Sequence, residues 1–258
     1  MGDRMNKKEH EYYEKIGNWD FEQIKYKTET LTDWNFYEKI KEYTNKDSIC
    51  LDLGTGGGEK VLKYYPEVGK IYATDFSKEM IKTAKENYKK YPIRNIEFLQ
   101  MDNLNMIFPE KSFDLISARH TVIDAKQIYK SLKDDGTLVI EGVDQKDCWE
   151  LKELFKRGQA FNDEKPISKI DYDNLKDAGF KNVELVEIIE NEYYETEEDL
   201  LALLLKTPIL DDFSEEDNER FSHRKEIETN LFEQYVKEYK TDRGILLKRR
   251  LYGIVAKK

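Results

Sequence analysis

The sequence contains few of the residues that mark disulfide-rich, metal-binding or membrane-spanning proteins. It has two cysteines, five prolines and three histidines in 258 residues. Cys50 and Cys148 belong to no CxxC or Cys/His pattern, so we expect buried free thiols, no disulfide framework and no bound metal. No apolar run reaches the roughly eighteen residues of a transmembrane helix, and the N-terminus lacks the apolar segment of a secretory signal. These absences predict a soluble, cytoplasmic protein.

Positive charge is in the minority. Lys and Arg total 43 against 53 Asp and Glu, which gives a net charge of −10. This balance argues against the large basic surface of a nucleic-acid-binding protein. The densest basic run, Lys248-Arg249-Arg250, lies in a strand-like segment, where we expect surface-facing strand ends. The apolar share of 39% is enough for one sizeable core, so the sequence predicts a single domain over 1–258.

Short β-rich runs alternate with helical patterns from residue 46 onward. The predicted strands are 48–53, 70–74, 95–100, 112–118 and 136–143, and the predicted helices between them are 59–66, 77–91 and 124–133. Alternating strands and helices are the signature of βαβ units, which build a parallel sheet covered by helices on both faces. Ligands of such sheets bind beyond the carboxyl ends of the strands, where the strand order reverses.

The remaining segments are predicted to decorate this core. We predict an N-terminal helical cap over 1–44, the α/β core over 45–192, a helical insertion or lid over 193–243 and a final strand over 244–258. Within these segments, we predict helices at 147–158, 168–178, 196–206 and 214–239 and strands at 182–189 and 248–257.

The stretch LDLGTGGGEK, residues 51–60, places four glycines directly after the first strand of the predicted core. One interpretation is a tight turn that needs positive φ and binds nothing. A phosphate-binding Walker loop or a GxGxxG dinucleotide fingerprint would require glycine at position 59, which is glutamate. A carboxylate in the first helical turn would also repel a pyrophosphate from the helix N-terminus.

The pattern Asp52-x-Gly54-x-Gly56-x-Gly58 resembles motif I of the class I S-adenosylmethionine-dependent methyltransferases. Their cofactor carries a sulfonium and an amino group but no phosphate, so an acidic turn is compatible with it. The resemblance continues with FPEKSFDLISARH at 108–120 and LKDDGTLVI at 132–140. It covers roughly 46–143 and implies a Rossmann-like, seven-stranded, mostly parallel sheet with S-adenosylmethionine as cofactor.

The same resemblance implies which residues contact the cofactor. Asp75 would bind the ribose hydroxyls, and Asp102, with Asn103 and Leu104, would line the adenine pocket. The full predicted set is Asp52, Gly54, Thr55, Gly56, Gly58, Asp75, Phe76, Ser77, Asp102, Asn103, Leu104, Ala118 and Arg119. Structural alternatives stay open: Asp75 as a helix-capping acid and Asp102 as a turn former. For Asp114 we favour a solvated charge at a strand edge.

Methyl transfer from a sulfonium is an in-line displacement, so positioning matters more than a dedicated base. If a base exists, it should lie at the end of the fourth or fifth strand of the predicted core. The candidates there are His120, Glu141 and Asp144, and we select His120 as the catalytic residue. A histidine that caps a strand is the alternative. The chain lacks the Asn/Asp-Pro-Pro-Tyr/Phe pattern of amino-methylating base methyltransferases, the Pro-Cys nucleophile of cytosine C5 enzymes and the magnesium cluster of catechol-type enzymes.

Aromatic and apolar residues in the decorations are candidates for a lid over the site. They are Tyr12, Tyr13, Trp19 and Tyr26 near the N-terminus and Tyr193, Tyr194, Leu204 and Phe213 in the insertion. A closed aromatic lid predicts a small or medium organic acceptor. The alternative is that these side chains only attach helices to the sheet. An RNA or protein methyltransferase and a non-catalytic S-adenosylmethionine-binding module are the alternative functions.

Overall fold

The computed structural model describes residues 23–91, 95–211 and 227–258. Its strands are β1 (Tyr26–Thr30), β2 (Ile49–Leu53), β3 (Lys70–Asp75), β4 (Ile96–Gln100), β5 (Phe113–Arg119), β6 (Leu132–Val143), β7 (Asn182–Tyr194), β8 (Lys240–Thr241) and β9 (Gly244–Lys257). Its α-helices are α1 (Phe36–Glu42), α2 (Glu59–Tyr64), α3 (Lys78–Tyr88), α4 (Ala125–Ser131), α5 (Trp149–Phe155), α6 (Ile167–Ala178), α7 (Glu197–Lys206) and α8 (Thr229–Tyr239). A 3₁₀ turn, Pro208–Leu210, follows α7.

One nine-stranded sheet organises the described chain, in the order β1-β7-β9-β6-β5-β2-β3-β4, with β8 paired to β9. Strands β2 to β6 pair in parallel, and β9 pairs antiparallel with both β6 and β7. The predicted Rossmann-like α/β fold is therefore confirmed, although with nine strands in place of seven. From β2 the chain goes to β3 on one side, and β5 lies on the other. The glycine turn after β2 thus lies at the reversal of strand order, where open α/β sheets bind ligands.

Alternating side chains divide the core between the two faces of this sheet. On one face, Cys50, Leu115 and Val139 pack beneath α1, α2 and α3. On the other face, Leu51 and Ile116 belong to a second cluster that α4 and α6 cover. The thiols of Cys50 and Cys148 are free and buried, as predicted.

Strand β1 was not predicted, because residues 1–44 were expected to be helical. Tyr26 to Thr30 pairs antiparallel with residues 190–194 of β7. This pairing supplies the backbone partners that a helix would otherwise provide, and it joins segments about 160 residues apart, beyond the reach of a local pattern. Residues 1–22, which include Tyr12, Tyr13 and Trp19, lie outside the described residues.

Strand β7 is longer than predicted and runs to Tyr194, so Tyr193 and Tyr194 lie in the sheet and not in the insertion. Tyr194 is fully buried, and Leu204 of α7 packs in the same apolar cluster. For these two residues, the predicted role in attaching helices to the sheet fits better than a lid. The second insertion helix is described only from Thr229, and Phe213 lies outside the described residues. Within the ranges described, no helix is long and apolar enough to cross a membrane.

Asp171 of α6 is a buried carboxylate that should make stability depend on pH. Its Oδ2 accepts a hydrogen bond of 2.5 Å from the Tyr252 hydroxyl, and burial raises the pKa of Asp171 to about 6. An unfolded aspartate has a pKa of about 4, so this contribution to stability is complete below about pH 4 and is lost as pH rises through about 6. The Asp171→Asn variant avoids this loss. We expect its Tm relative to wild type to rise by about 5 °C between pH 4 and pH 7.

Asp173 in the same helix is the matched control. Lys165 and Lys169 hydrogen-bond to its carboxylate and lower the pKa of Asp173. Asp173→Asn should therefore shift the relative Tm in the opposite direction over the same pH range. Thermal unfolding of both variants checks the signs, and a pH-independent difference for Asp171→Asn would contradict the prediction.

Candidate active site

The glycine turn lies at the carboxyl end of β2, and Gly56, Gly57 and Gly58 in it are buried. Gly54, Gly56 and Gly58 have φ of +71°, +59° and +77°, a region that other residues adopt only with strain. A Cβ added at Gly54 would lie 2.6 Å from the Cβ of Thr121. The Thr55 amide donates to the Thr74 carbonyl at 2.8 Å, which ties the turn to the end of β3.

Asp75, the last residue of β3, holds the middle of this turn. Its Oδ2 accepts from the Gly56 amide and its Oδ1 accepts from the Ser77 amide, both at 2.9 Å. Ser77 in turn caps α3, because its hydroxyl accepts from the Met80 amide at 3.3 Å. Phe76 follows Asp75 and leaves 36% of its surface exposed. The carboxylate thus acts as the capping acid of the alternative interpretation and also shapes the predicted cofactor turn.

Asp52 lies one strand away and is nearly buried, with 7% of its surface exposed. The Ser117 hydroxyl of β5 donates to its Oδ1 at 2.7 Å. Burial raises the pKa of Asp52 to about 6, and the hydrogen bond from Ser117 opposes that shift. A cationic group bound nearby would favour the ionised carboxylate.

The loop after β4 also meets the glycine turn. Asp102 behaves as the predicted turn former, since its Oδ1 accepts from the Leu104 amide at 2.8 Å and its Oδ2 from the Asn105 side chain at 2.6 Å. The Asn103 amide nitrogen donates to Thr121 Oγ1 at 3.0 Å, beside Gly54. The Asn103 side-chain oxygen is buried and has no hydrogen-bond donor among the described residues.

Glu141 joins the ends of β5 and β6 to the N-terminal segment. Its Oε1 accepts from Arg119 Nε at 2.7 Å, and its Oε2 accepts from the Trp34 indole at 3.2 Å. The Trp34 ring packs where a side chain at Gly253 would otherwise lie. Because both oxygens of Glu141 are engaged, it fits a positioning role better than the predicted role of base.

Of the other two base candidates, Asp144 is held by the start of α6. Its Oδ2 accepts from the Ser168 hydroxyl at 2.8 Å, and its Oδ1 accepts from the Gln145 amide at 2.8 Å. His120 has a positive φ of 51°, and its amide donates to the Glu141 carbonyl at 2.8 Å.

The His120 Nε2 lies 3.6 Å from Glu141 Oε1, and 31% of the side chain is exposed. Burial, followed by the charges of Arg119, Arg249 and Lys60, lowers the pKa of His120 well below its usual value. The nearby Glu141 carboxylate and the remaining exposure act against this shift. A neutral imidazole is able to accept a proton, so the geometry is compatible with both predicted roles of His120.

The polar residues of the site share one sheet face because of the strand register. Asp52 pairs with Ser117, and Arg119 pairs with Glu141. Asp114 lies at the opposite end of β5, where it accepts from the Ile49 amide and pairs with Lys133. It is therefore outside the site, as we expected, although it is bound to neighbours and not simply solvated.

Arg249 was predicted at a surface-facing strand end, and this prediction is wrong. Its Nε and Nη2 donate to the two Asp147 oxygens at 2.9 and 3.0 Å, and its Nη1 donates to Glu192 at 3.1 Å. The side chain is mostly shielded from solvent, with 16% exposed, and two carboxylates compensate its charge. Trp34, Asp147 and Glu192, which build this side of the cleft, carry no local sequence signal that would have placed them there.

Comparison with known families bears directly on this geometry. The family model described as "Methyltransferase domain" matches residues 44–199, more than half of the chain. The chain belongs to this methyltransferase-domain family. The resemblance predicted from the glycine turn is thereby confirmed.

Individual relatives of this methyltransferase domain match shorter stretches. The uncharacterized methyltransferase YcgJ of Bacillus subtilis (strain 168) is 29% identical over 84 residues, which are 33% of this chain and 33% of that protein. A 2-phytyl-1,4-naphtoquinone methyltransferase of Nostoc punctiforme is 33% identical over 91 residues, covering 34% of this chain and 40% of that protein. The matched segments thus span about a third of the length of these curated relatives.

Solved structures support the fold. The crystal structure of YcgJ from Bacillus subtilis superposes with a TM-score of 0.55 at 15% identity, covering 86% of this chain and 96% of that one. The [4+2]-cyclase SpnF gives a TM-score of 0.51 at 14% identity, covering 86% and 79%. Since proteins of such different description share the fold, the reaction has to be argued from the site.

Proposed function

We propose that this methyltransferase domain binds S-adenosylmethionine at the carboxyl ends of β2, β3 and β4 and methylates a small or medium organic acceptor. The observation that carries the proposal is the position of Glu59. A side chain added at Gly57 would meet the Glu59 carboxylate, so this charge lies over the glycine turn. A carboxylate there repels a dinucleotide pyrophosphate but tolerates a phosphate-free, cationic ligand.

Two further features fit this cofactor. The turn has a fixed shape, because the Thr121 side chain packs against the backbone of Gly54. The buried oxygen of Asn103 has no donor among the described residues, and the adenine amino group is such a donor. Asp52 lies on the same sheet face, and its carboxylate would attract the positively charged groups of the methionine part of S-adenosylmethionine.

The proposed contacts follow from these positions. Asp75 holds the turn and presents its carboxylate to the ribose, while Phe76 supplies an exposed ring beside it. Asp102, Asn103 and Leu104 border the base. The remaining proposed contacts are Thr55, Gly56, Gly58, Ser77 and Ala118. Arg119, the last residue of the predicted set, borders this site and binds Glu141.

When bound, the cofactor supplies a methyl group on a sulfonium, which is already an activated donor. The protein's part is to hold the acceptor in line with it and to exclude water. Glu141 fixes Arg119 and Trp34 beside the ends of β5 and β6, where the acceptor would enter. His120 would take up a proton from the acceptor where one is released, and the Glu141 carboxylate 3.6 Å away would stabilise the resulting imidazolium.

Isothermal titration and product detection test this function. We expect S-adenosylmethionine and S-adenosylhomocysteine to bind with Kd on the order of micromolar, with no binding of NAD under the same conditions. Release of S-adenosylhomocysteine with members of an acceptor library would separate an enzyme from a non-catalytic binding module. Tighter binding of NAD than of S-adenosylmethionine would contradict the proposal.

The Glu59→Gln variant sharpens the test, because it removes the charge over the turn without changing the size of the side chain. The discrimination against NAD should decrease in this variant. Glu67→Gln, at an exposed site between α2 and β3, is the matched control and should leave the discrimination unchanged.

A further inference from the structure

Arg119 occupies the boundary between the proposed cofactor pocket and the rest of the cleft. It ends β5 on the same sheet face as Asp52 and pairs in register with Glu141 of β6. Glu141 also accepts from the Trp34 indole, so Arg119 and Trp34 share one carboxylate. The charge of Arg119 also lowers the pKa of Asp52.

The hydrogen bonds of Arg119 leave part of its guanidinium unused. Only Nε binds Glu141, and within the described residues neither terminal amino group has a hydrogen-bond acceptor. About a third of the side chain, 34%, remains exposed. A guanidinium carries five N–H donors in a planar fork that matches the paired oxygens of an oxyanion. Glu141 thus orients the guanidinium through Nε and leaves its two terminal amino groups without an acceptor among the described residues.

The other arginine on this face is in a different state. Each nitrogen of the Arg249 guanidinium donates to a carboxylate, either Asp147 or Glu192. Three of its five N–H donors are taken, and 16% of its side chain is exposed. Arg119 is therefore the arginine on this face, among the residues that the structure describes, whose two terminal amino groups are both without an acceptor.

We propose that Arg119 anchors an oxyanionic group, a carboxylate or a phosphate, on the methyl acceptor. This inference rests on the proposed function and names the acceptor class for the same site. Trp34 shares the Glu141 carboxylate with Arg119, and Tyr26, with 40% of its surface exposed, lies on the same sheet face. The acceptor that fits is thus an aromatic or other apolar acid, held by its anionic end while another atom receives the methyl group.

A cationic amine is the competing acceptor, and Glu190 is the group that would bind it. Glu190 pairs in register with Arg249, and its Oε1 accepts from Thr30 Oγ1 at 3.3 Å. Burial and the charges of Glu192 and Glu141 raise the pKa of Glu190. A bound ammonium would therefore stabilise the ionised Glu190 carboxylate. Glu190 lies three strands away from β5, however, whereas Arg119 is next to the cofactor strand. Proximity to the transferred methyl group favours the anion.

Matched probe pairs distinguish the two. The wild-type protein is first titrated with S-adenosylhomocysteine, which tests the proposed function by itself. The saturated protein is then titrated with 4-hydroxybenzoate, indole-3-acetate and phenyl phosphate, with the neutral counterparts 4-hydroxybenzamide, indole-3-acetamide and phenol, and with the amine tyramine. We expect at least one anion to bind about tenfold tighter than its neutral counterpart, or than phenol in the case of phenyl phosphate.

Substitutions at Arg119 test whether this residue causes the preference for anionic ligands. Arg119→Gln should abolish it while retaining S-adenosylhomocysteine binding, and Arg119→Lys should retain part of it. Arg243→Gln is the matched control, because Arg243 pairs with Glu29 at the surface, and it should behave as wild type. Circular dichroism and Tm confirm that each variant is folded.

Three results would overturn the inference. They are equal binding of anions and neutral counterparts, preferential binding of tyramine, and a tenfold loss of S-adenosylhomocysteine affinity in Arg119→Gln with unchanged anion binding. The last result would assign the guanidinium to the methionine carboxylate of the cofactor. Failure of S-adenosylhomocysteine to bind the wild-type protein would reject the proposed function itself, and this inference with it.

Discussion

Replacing Asp75 with alanine is expected to weaken S-adenosylmethionine binding by at least about a hundredfold. The carboxylate accepts from the Gly56 and Ser77 amides, so its removal leaves two backbone donors without their acceptor. Hydrogen bonds to a charged group contribute about 1.5–3 kcal/mol each, and two of them correspond to a hundredfold or more. The glycine turn would lose its shape at the point where the cofactor is proposed to approach. Isothermal titration measures the loss.

Two variants control this experiment. Asp75→Asn keeps one acceptor oxygen and should show an intermediate loss of about tenfold. Asp114→Ala removes a carboxylate that also accepts from a backbone amide, that of Ile49, at the other end of the sheet. It should lower Tm but leave the affinity for S-adenosylmethionine unchanged. Wild-type affinity in Asp75→Ala would show that the turn does not depend on this residue.

The Gly54→Ala variant should lose both stability and cofactor binding. Gly54 has a φ of +71°, which costs a non-glycine residue about 1–2 kcal/mol. The added Cβ would also lie 2.6 Å from the Thr121 Cβ, so the loop after β5 would have to move. We expect Tm to fall by about 5 °C and the affinity for S-adenosylhomocysteine to fall by more than tenfold. Differential scanning fluorimetry and titration give the two values.

Gly244 provides the matched control for strain without a role in binding. It has a φ of +124°, and a side chain there would lie 2.5 Å from the Tyr194 carbonyl oxygen, at the start of β9. Gly244→Ala should therefore lower Tm by at least as much as Gly54→Ala. Its affinity for S-adenosylhomocysteine should not change. If both variants bound S-adenosylhomocysteine with equal affinity, the glycine turn would not be part of the cofactor site.

The parallel half of the sheet could be predicted from sequence because its signals are local. Ile49 to Leu53 is a short apolar run that ends in glycines, and Asp75 closes the next strand. Each strand, turn and helix start is encoded within about ten residues, and βαβ chirality then fixes how the units associate. The fold and the family were therefore accessible from the order of residues along the chain.

The other half of the site could not be predicted, because it is built from distant partners. Arg249 lies in a basic run that normally faces water, yet Glu192 and Asp147, 57 and 102 positions away, compensate its charge. Tyr26 stacks on Tyr194 at 5.1 Å between ring centroids, a contact between the first and seventh strands. The alternation of Tyr26, Thr28 and Thr30 is a strand signal, but five residues are too few to outweigh the helical pattern around them.

Arg249 and Gly253 also fix the register in which β9 pairs with its neighbouring strands. Sliding β9 by one position would turn Arg249 to the opposite face and leave the carboxylates of Asp147 and Glu192 without their guanidinium. The same slip would bring Tyr252 or Ile254 under the Trp34 ring, where only a glycine fits. A β9 strand paired out of register is thus destabilised by the unpaired carboxylates and by the steric clash with Trp34.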